Sequence, residues 1–335
     1  MDRFLSFLEQ KTIAFLTKRK AVAALQAANK AKRTFVSEAK GWLDALVFAV
    51  FAVLLINQYL FQLFVIPSPS MVPTLKVGDR VFVSKRIYGV ELYPGGPKLG
   101  SENRQVARDQ IITFYNPEYD SKGPLFDVLS QIIYSGTFSL VNIDRNPDGS
   151  MAERLYVKRA IGMPSELVRF VDGSVQIRRV GENTWVKEDE LRSELGLVEG
   201  PHRTLSDDLY TGLRAWGSLY GYQEAGINLD LVPTYLKNEY AQVSAYNYPP
   251  DMYSFTQQSN RTQHLFDPSD MQARSAYSGY QRGIYIPEGH ILPLGDNRDD
   301  SRDGRYFGPV SHGSINGSVR SRFWPPKRIA YLGNK

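Results

Sequence analysis

The chain has no cysteine, only four histidines, and no long apolar run beyond residue 66. The first absence removes disulfides, thiolate metal sites, a cysteine nucleophile and CxxC redox chemistry. It does not fix the compartment, because a protein facing an oxidising space need not carry a disulfide. His202, His264, His290 and His312 show no metal-binding spacing such as HExxH. A G-x-S-x-G elbow is missing too: residues 313–317 read G-S-I-N-G. Residues 299–304, D-D-S-R-D-G, begin like a calcium loop, but Val310 stands where a bidentate glutamate is required. That segment reads better as an ion-pair network around a tight turn. No metal or cofactor is expected.

Among what is present, charge placement comes first. The 335 residues carry a net charge of +5. Residues 1–44 hold nine Lys/Arg against four acids, so the whole excess lies there and the remainder is neutral. A nucleic-acid binder needs its basic excess on the folded domain; here it precedes an apolar run, which is membrane topology. Residues 45–66, ALVFAVFAVLLINQYLFQLFVI, contain no charge. As a helix they reach about 33 Å, enough for a bilayer core of roughly 30 Å. A buried core helix would show a polar stripe, and a cleavable signal peptide has a short basic head and a small-x-small exit. With 44 residues ahead of it and Pro67-Ser68-Pro69 behind, this run is expected to be a retained single-pass anchor. Lys/Arg flanks stay inside, so the N-terminus is expected in the cytoplasm and residues 67–335 on the outer face. In the basic segment Phe4, Leu5, Leu8, Phe15 and Leu16 fit one helical face, opposite Lys11 and Lys18, so that it reads either as an interfacial amphipathic helix or as a solvated tail.

Beyond residue 66 the pattern turns to short β-like runs at 79–84, 155–161, 167–170, 175–180 and 283–286, separated by turn signals such as Gly78-Asp79, Pro94-Gly95-Gly96, Pro147-Asp148-Gly149 and Asp172-Gly173. The fold class expected is mostly β: an N-terminal transmembrane helix, then a β-rich catalytic ectodomain. Two stretches, at about 97–153 and 184–282, read as insertions. The second opens with a charged, helix-compatible segment at 188–199. It ends in a Tyr/Ser/Gln/Asn-rich tract at 240–280 and is expected to form a large β subdomain.

Residues 66–75 read I-P-S-P-S-M-V-P-T-L. The prolines keep this backbone extended and fix the directions of Ser68 and Ser70. A serine nucleophile needs a base, and without a suitable histidine the alternative is a lysine. Lys158 is the candidate, on a strand whose alternation puts Tyr156, Lys158 and Ala160 on one face. A free lysine is only about 0.3% neutral near pH 8; burial against apolar side chains lowers its pKa by up to ~3–5 units. From the strand alone, an ordinary lysine whose stem lies along the sheet is an equally complete account.

Three segments together carry a resemblance. They are 66–88, I-P-S-P-S-M-V-P-T-L-K-V-G-D-R-V-F-V-S-K-R-I-Y; 156–166, Y-V-K-R-A-I-G-M-P-S-E; and 295–309, G-D-N-R-D-D-S-R-D-G-R-Y-F-G-P. In this order behind an anchor they resemble the type I signal peptidases (bacterial leader peptidases), membrane-anchored serine endopeptidases with a Ser/Lys dyad. The resemblance implies Ser70 as nucleophile, Lys158 as general base, Ser68 in the oxyanion hole and Ser301 orienting the lysine amine. It further implies Asp303 and Arg305 as a structural ion pair, with Asp296 and Arg298 shaping the same turn. Shallow substrate pockets are implied at Phe64, Ile66, Pro67, Met71, Leu75, Tyr156 and Val157. The substrates implied are exported preproteins with Ala-x-Ala-type signal peptides, cut through an acyl-enzyme at the bacterial cytoplasmic (inner) membrane, with the lipid bilayer and a secretion translocon as partners and no nucleic acid. Two departures stand out: Pro69 between the serines where the family commonly has Gly, and Pro164-Ser165-Glu166 where it usually has Pro-Gly-Asp. Two other readings fit the same chain. One is a non-catalytic tethered β-domain that binds exported proteins through the Tyr-rich insertion; the other is a Ser/Lys protease of another substrate class.

Overall fold

The computed structural model describes residues 2–31, 35–86, 88–93, 96–100, 106–137, 141–197 and 205–333. The expected turn at Pro94-Gly95 and His202 lie outside the described residues. The chain divides into two units, Met1–Leu55 and Ile56–Lys335. The first holds helix α1 (Asp2–Ala31) and most of α2 (Phe35–Tyr59). Apolar and polar residues are spread round α1 with no single apolar face. Phe15 and Leu16 are exposed, while the side chains of Phe4, Leu5 and Leu8 lie outside what is described. Within α2 the span Ser37–Tyr59 is long and apolar enough to cross a membrane. This helix therefore ends earlier than the apolar run does. Residues Phe61–Val65 leave it as strand β1, paired in register with β2 (Arg80–Ser84), which buries Gln62 and Phe64 on alternate positions.

The second unit is built on antiparallel sheets. Its further strands are β3 (Val90–Glu91), β4 (Lys98–Leu99), β5 (Ile111–Tyr115), β6 (Leu155–Gly162), β7 (Leu167–Val171), β8 (Ser174–Arg178), β9 (Val186–Lys187), β10 (Ile284–Tyr285), β11 (His290–Leu294), β12 (Val310–Ser311), β13 (Ile315–Trp324) and β14 (Ala330–Tyr331). The main sheet runs β1-β2-β13-β5-β6-β11-β12 with β14 on β13, and a second sheet runs β10-β7-β8-β9. β6 is central, and every residue from Val157 to Gly162 is buried. Its apolar residues divide among three clusters: Val157 packs with Phe64, Ile66, Met71, Leu75 and Val319; Ala160 with Ile112, Phe114 and Ile291; Ile161 with Val168, Ile177, Ile286 and Leu292. At roughly 1.5–3 kcal/mol for each large side chain removed from water, these clusters fix β6 firmly in the fold.

Helices fill the insertions: α3 (Pro124–Gly136), α4 (Glu188–Glu194), α5 (Leu209–Glu224), α6 (Thr234–Tyr240), α7 (Met252–Phe266), α8 (Met271–Arg282) and, in the last motif, α9 (Gly304–Phe307). The protein is 43% helical, so the expectation of a mostly β chain is corrected. The tract at 240–280 is largely α7 and α8, not a β subdomain. Aspartates start both helices: Asp251 accepts from Ser254 N at 3.1 Å, and Asp270 from Gln272 N at 2.9 Å and Ala273 N at 3.1 Å. Glycine lets α5 lie against α7. A Cβ on Gly217 would stand 2.7 Å from the Phe255 carbonyl oxygen, and one on Gly221 the same distance from that of Ser259. The aromatic residues form the seam, with Trp216 edge-on to Tyr240 and Phe255 at 5.5 and 5.8 Å between centroids.

The Pro164-Ser165-Glu166 turn keeps the shape a glycine would give it. Ser165 has φ +65°, in the left-handed region that costs an L side chain about 1–2 kcal/mol. It is held by Ser165 N donating to Ile286 O at 2.7 Å and by the Glu166 carboxylate accepting from Met163 N at 2.9 Å. Ser165→Gly should therefore raise stability by about 0.5–1 kcal/mol without altering activity, read as a Tm increase of about 1–3 °C. A lower Tm would mean that the Ser165 hydroxyl bond to Glu288, at 2.5 Å, outweighs the backbone strain.

Candidate active site

Ser70 sits in one 3-10 turn, Pro69–Met71, directly after β1. Pro69 suits the first position of such a turn because its fixed φ is already helical. The turn is closed by Val72 N donating to Pro69 O at 2.9 Å and Leu75 N to Met71 O at 2.8 Å. Met71 and Leu75 are fully buried in the β1–β2 cluster and act as pegs for the segment. From the other side Asn297 N donates to Ser70 O at 3.0 Å and Asn297 Nδ2 to Pro69 O at 3.3 Å. The backbone on both sides of the hydroxyl is thus tied down, and Ser70 is only 8% exposed.

Lys158 projects from central β6, and its Nζ lies 2.6 Å from Ser70 Oγ although 88 positions separate the residues. Lys158 is 3% exposed. Burial strips water from the ammonium and lowers its pKa to about 8, against the opposing pull of the Asp303, Glu153 and Asp296 carboxylates; the nearby Arg305 adds to the lowering. Near pH 8 about half of the amine is then neutral and able to accept a proton. The Tyr156 ring, two residues back on the same face, has its centroid 5.3 Å from Nζ. Ser68 Oγ stands 3.3 Å from Ser70 Oγ. Ser301 Oγ is buried beside Gly295 and makes no hydrogen bond, so the amine contact expected of it is not formed here.

Among the expected pocket residues, Phe64, Ile66, Met71, Leu75 and Val157 form one contiguous apolar cluster with Val81 and Val83. Tyr156 stacks on Phe307 at 6.0 Å instead, and Pro67 is exposed. Asp303 pairs with Arg305 as expected, Nε to Oδ1 at 2.9 Å, with Asp303 also accepting Gly295 N at 2.9 Å. Asp296 and Arg298 do not pair with each other. Asp296 takes both arms of Arg159, at 2.7 and 2.6 Å, and Thr74 Oγ1 at 2.5 Å; Arg298 goes to Glu188 on α4. The fully buried Asp296 and Asp303 bear the cost of desolvation, but the guanidiniums of Arg159 and Arg305 outweigh it and hold both carboxyls below their usual range. Of the described histidines, His264 stacks on Tyr277 and His290 bonds to the Glu288 backbone.

A family model described as "Signal peptidase, peptidase S26" matches residues 39–324. The chain belongs to the peptidase S26 family. Signal peptidase I of Pseudomonas aeruginosa is 26% identical over 297 residues, covering 85% of this chain and 73% of that protein. Signal peptidase I of Haemophilus influenzae is also 26% identical, over 87% of this chain and 71% of its own. A shorter stretch of 50 residues is 46% identical to the mitochondrial ATP-independent inner membrane protease subunit 1b of Arabidopsis thaliana, over 15% of this chain and 30% of that one. This S26 peptidase is therefore a hydrolase of the signal peptidase I class, with one apolar N-terminal helix suited to a membrane among the described residues.

Sequence reading missed four groups around the site of this S26 member. Asn297 is inside the third motif, between Asp296 and Arg298. Asp109, Glu188 and Arg192 stand far from any motif. Glu188 and Arg192 stand four positions apart in the charged, helix-compatible segment, yet each reaches outward to a different partner.

Proposed function

We propose that this peptidase removes signal peptides from exported preproteins with Ser70 as nucleophile and Lys158 as general base. The observation that carries the reading is the 2.6 Å approach of Lys158 Nζ to Ser70 Oγ in a nearly dry site. Neutral Lys158 takes the proton from the Ser70 hydroxyl as Oγ bonds to the scissile carbonyl carbon. The ammonium so formed returns that proton to the departing amine nitrogen when the C–N bond breaks, leaving an ester on Ser70. Water then attacks the ester, Lys158 accepts its proton, and that proton ends on Ser70 as the acid product leaves. Ser68 Oγ and the Ser70 N–H are the proposed donors to the oxyanion, a role typically contributing about 3–4 kcal/mol in acyl transfer. Ser301 orients the amine once its side chain turns toward Nζ.

The large apolar residues packed about the turn leave only shallow room for a substrate, which favours small side chains ahead of the cut, hence Ala-x-Ala substrates. The basic segment 1–44 stays in the cytoplasm, the apolar run beginning at residue 45 anchors the chain in the bacterial inner membrane, and residues from 67 onward, with insertions near 97–153 and 184–282, work on the outer face near the translocon. Holding the site at the membrane turns a search through solution into a local one.

The test is cleavage of an Ala-x-Ala precursor and acylation by a serine-directed inhibitor. The full-length enzyme should cut the precursor and carry the label on Ser70. Ser70→Ala should lose at least about 10³-fold in kcat/KM and all labelling. Retained cleavage by Ser70→Ala would remove the nucleophile from the scheme.

A further inference from the structure

Helix α4 comes from the insertion and carries no motif residue, yet two of its side chains are buried at the back of the site: Glu188 is 6% exposed and Arg192 8%. Glu188 receives both arms of Arg298, the NH2 to Oε1 bond measuring 2.8 Å, and Arg298 Nε donates to Gly295 O at 2.9 Å. Arg192 grips both carboxylate oxygens of Asp109. Asp109 in turn bonds Arg159 through its carbonyl at 3.0 Å and its carboxylate at 3.3 Å. Arg159 follows Lys158 on β6 and holds Asp296, which faces the nucleophile segment through Thr74. Asp109 adopts φ +70°, a strained backbone that these bonds keep in place.

We propose that α4 is a charge clamp for the dyad, with Glu188 and Arg192 as positioning residues that hold the loop bearing Asp296, Ser301 and Asp303 against β6. They complete a neutral set of three guanidiniums (Arg159, Arg192, Arg298) and three carboxylates (Asp109, Asp296, Glu188). The proposal rests on Lys158 being the general base. The charged groups facing Lys158 are Asp296, Asp303 and Arg305 from the last motif and Glu153 ahead of β6; Ile112, opposite it on β5, is neutral. Asp296 is the link, because it belongs both to that list and to the clamp. Removing one charge from a buried neutral set leaves an uncompensated charge of the opposite sign, felt across a medium of low effective dielectric. Loss of Glu188 leaves excess positive charge and makes Lys158 harder to protonate; loss of Arg192 does the reverse.

The test is the pH profile of kcat/KM for detergent-solubilised full-length Glu188→Gln, Arg192→Gln and the double variant. The acidic limb should move down by about half a unit in the first, up by about half a unit in the second, and return to wild type in the double. In both single variants kcat should fall several-fold, with KM less affected. The position of a limb does not depend on how much protein is folded, so reduced yield does not imitate the result. Should a single variant give no measurable enzyme, Glu188→Asp and Arg192→Lys, which keep both charges, are expected to keep the wild-type limb. Limbs that move in the same direction, stay within about 0.1 unit, or shift in the charge-keeping pair overturn the clamp. Cleavage that survives loss of Lys158 overturns the dyad instead, so the two failures are distinguishable.

Discussion

Lys158→Met should abolish cleavage while making the protein harder to unfold. The loss follows from chemistry: without a base at 2.6 Å, the Ser70 hydroxyl keeps its proton, and the expected fall in kcat/KM is at least about 10³-fold. The gain in stability follows from the same burial that makes the lysine useful. Its folded pKa is about 8, well below the ordinary lysine value of 10.5, so at neutral pH the fold carries a desolvated ammonium at a cost of about 3 kcal/mol. The sign is set by proton counting. Between about pH 8 and 10.5 the unfolded chain binds more protons at this site than the folded one, so wild-type stability rises with pH across that window and the penalty is fully present below it. Methionine has a similar length and no charge to desolvate, so the variant's Tm at pH 7 should exceed the wild type's and the difference should shrink toward pH 10. In the wild type kcat/KM should rise tenfold per pH unit up to about pH 8 and then level off. A variant less stable than wild type at pH 7, or an activity limb near pH 10, would contradict a buried, partly neutral Lys158.

How much of this was legible beforehand differs between the site and its support. Ser70 and Lys158 stand in short motifs, and strand alternation alone placed the lysine on one face of β6. The β2, β6, β7 and β8 runs were visible because β-branched and aromatic residues cluster there between Gly and Asp turns. The helices of the insertion were hidden by composition. Their Tyr, Ser, Gln and Asn residues carry weak propensity either way, and what holds them is tertiary: the Gly217–Gly221 face on α7 and the stacking of Trp216. The readable signs were local ones, Asp251 and Asp270 standing just ahead of the first residues of α7 and α8, and Gly283 closing α8 at φ +81°. The clamp had no such sign. Glu188 meets Arg298 across 110 positions, and Arg192 meets Asp109 across 83. Nothing in either segment's own pattern names its partner. Likewise the break between helix and β1 inside an unbroken apolar run is decided by the β2 partner strand, which a hydropathy reading does not see.

Gly295→Ala should cut activity about 100-fold while leaving the protein folded, because the one added methyl group lands between the two halves of the site. A Cβ at this position would stand 2.1 Å from Ser301 Oγ, 2.5 Å from Ser301 Cβ and 2.6 Å from the backbone oxygen of Ser70. The serine side chain can rotate away; the Ser70 carbonyl cannot, since it also accepts from Asn297 N at 3.0 Å and belongs to a turn pegged by buried Met71 and Leu75. Relief therefore comes from moving the nucleophile turn away from β11, and a misplacement of about 1 Å in a dyad set at 2.6 Å is worth about two orders of magnitude in rate. Overpacking of this size costs stability about 1–3 kcal/mol, a lower Tm but not an unfolded chain. The effect should fall on kcat more than on KM, because the shift displaces the reacting hydroxyl directly, whereas Phe64 and Val157 are held by their strands and do not meet the added methyl group. Gly295→Ala/Ser301→Gly removes two of the three clashes and should recover stability more than rate, since the contact with the Ser70 oxygen remains. Gly279→Ala, whose Cβ would meet nothing within 4 Å, is the matching control and should leave kcat unchanged. Wild-type kinetics in Gly295→Ala would mean that the Ser70 turn is not held against β11 in the working enzyme.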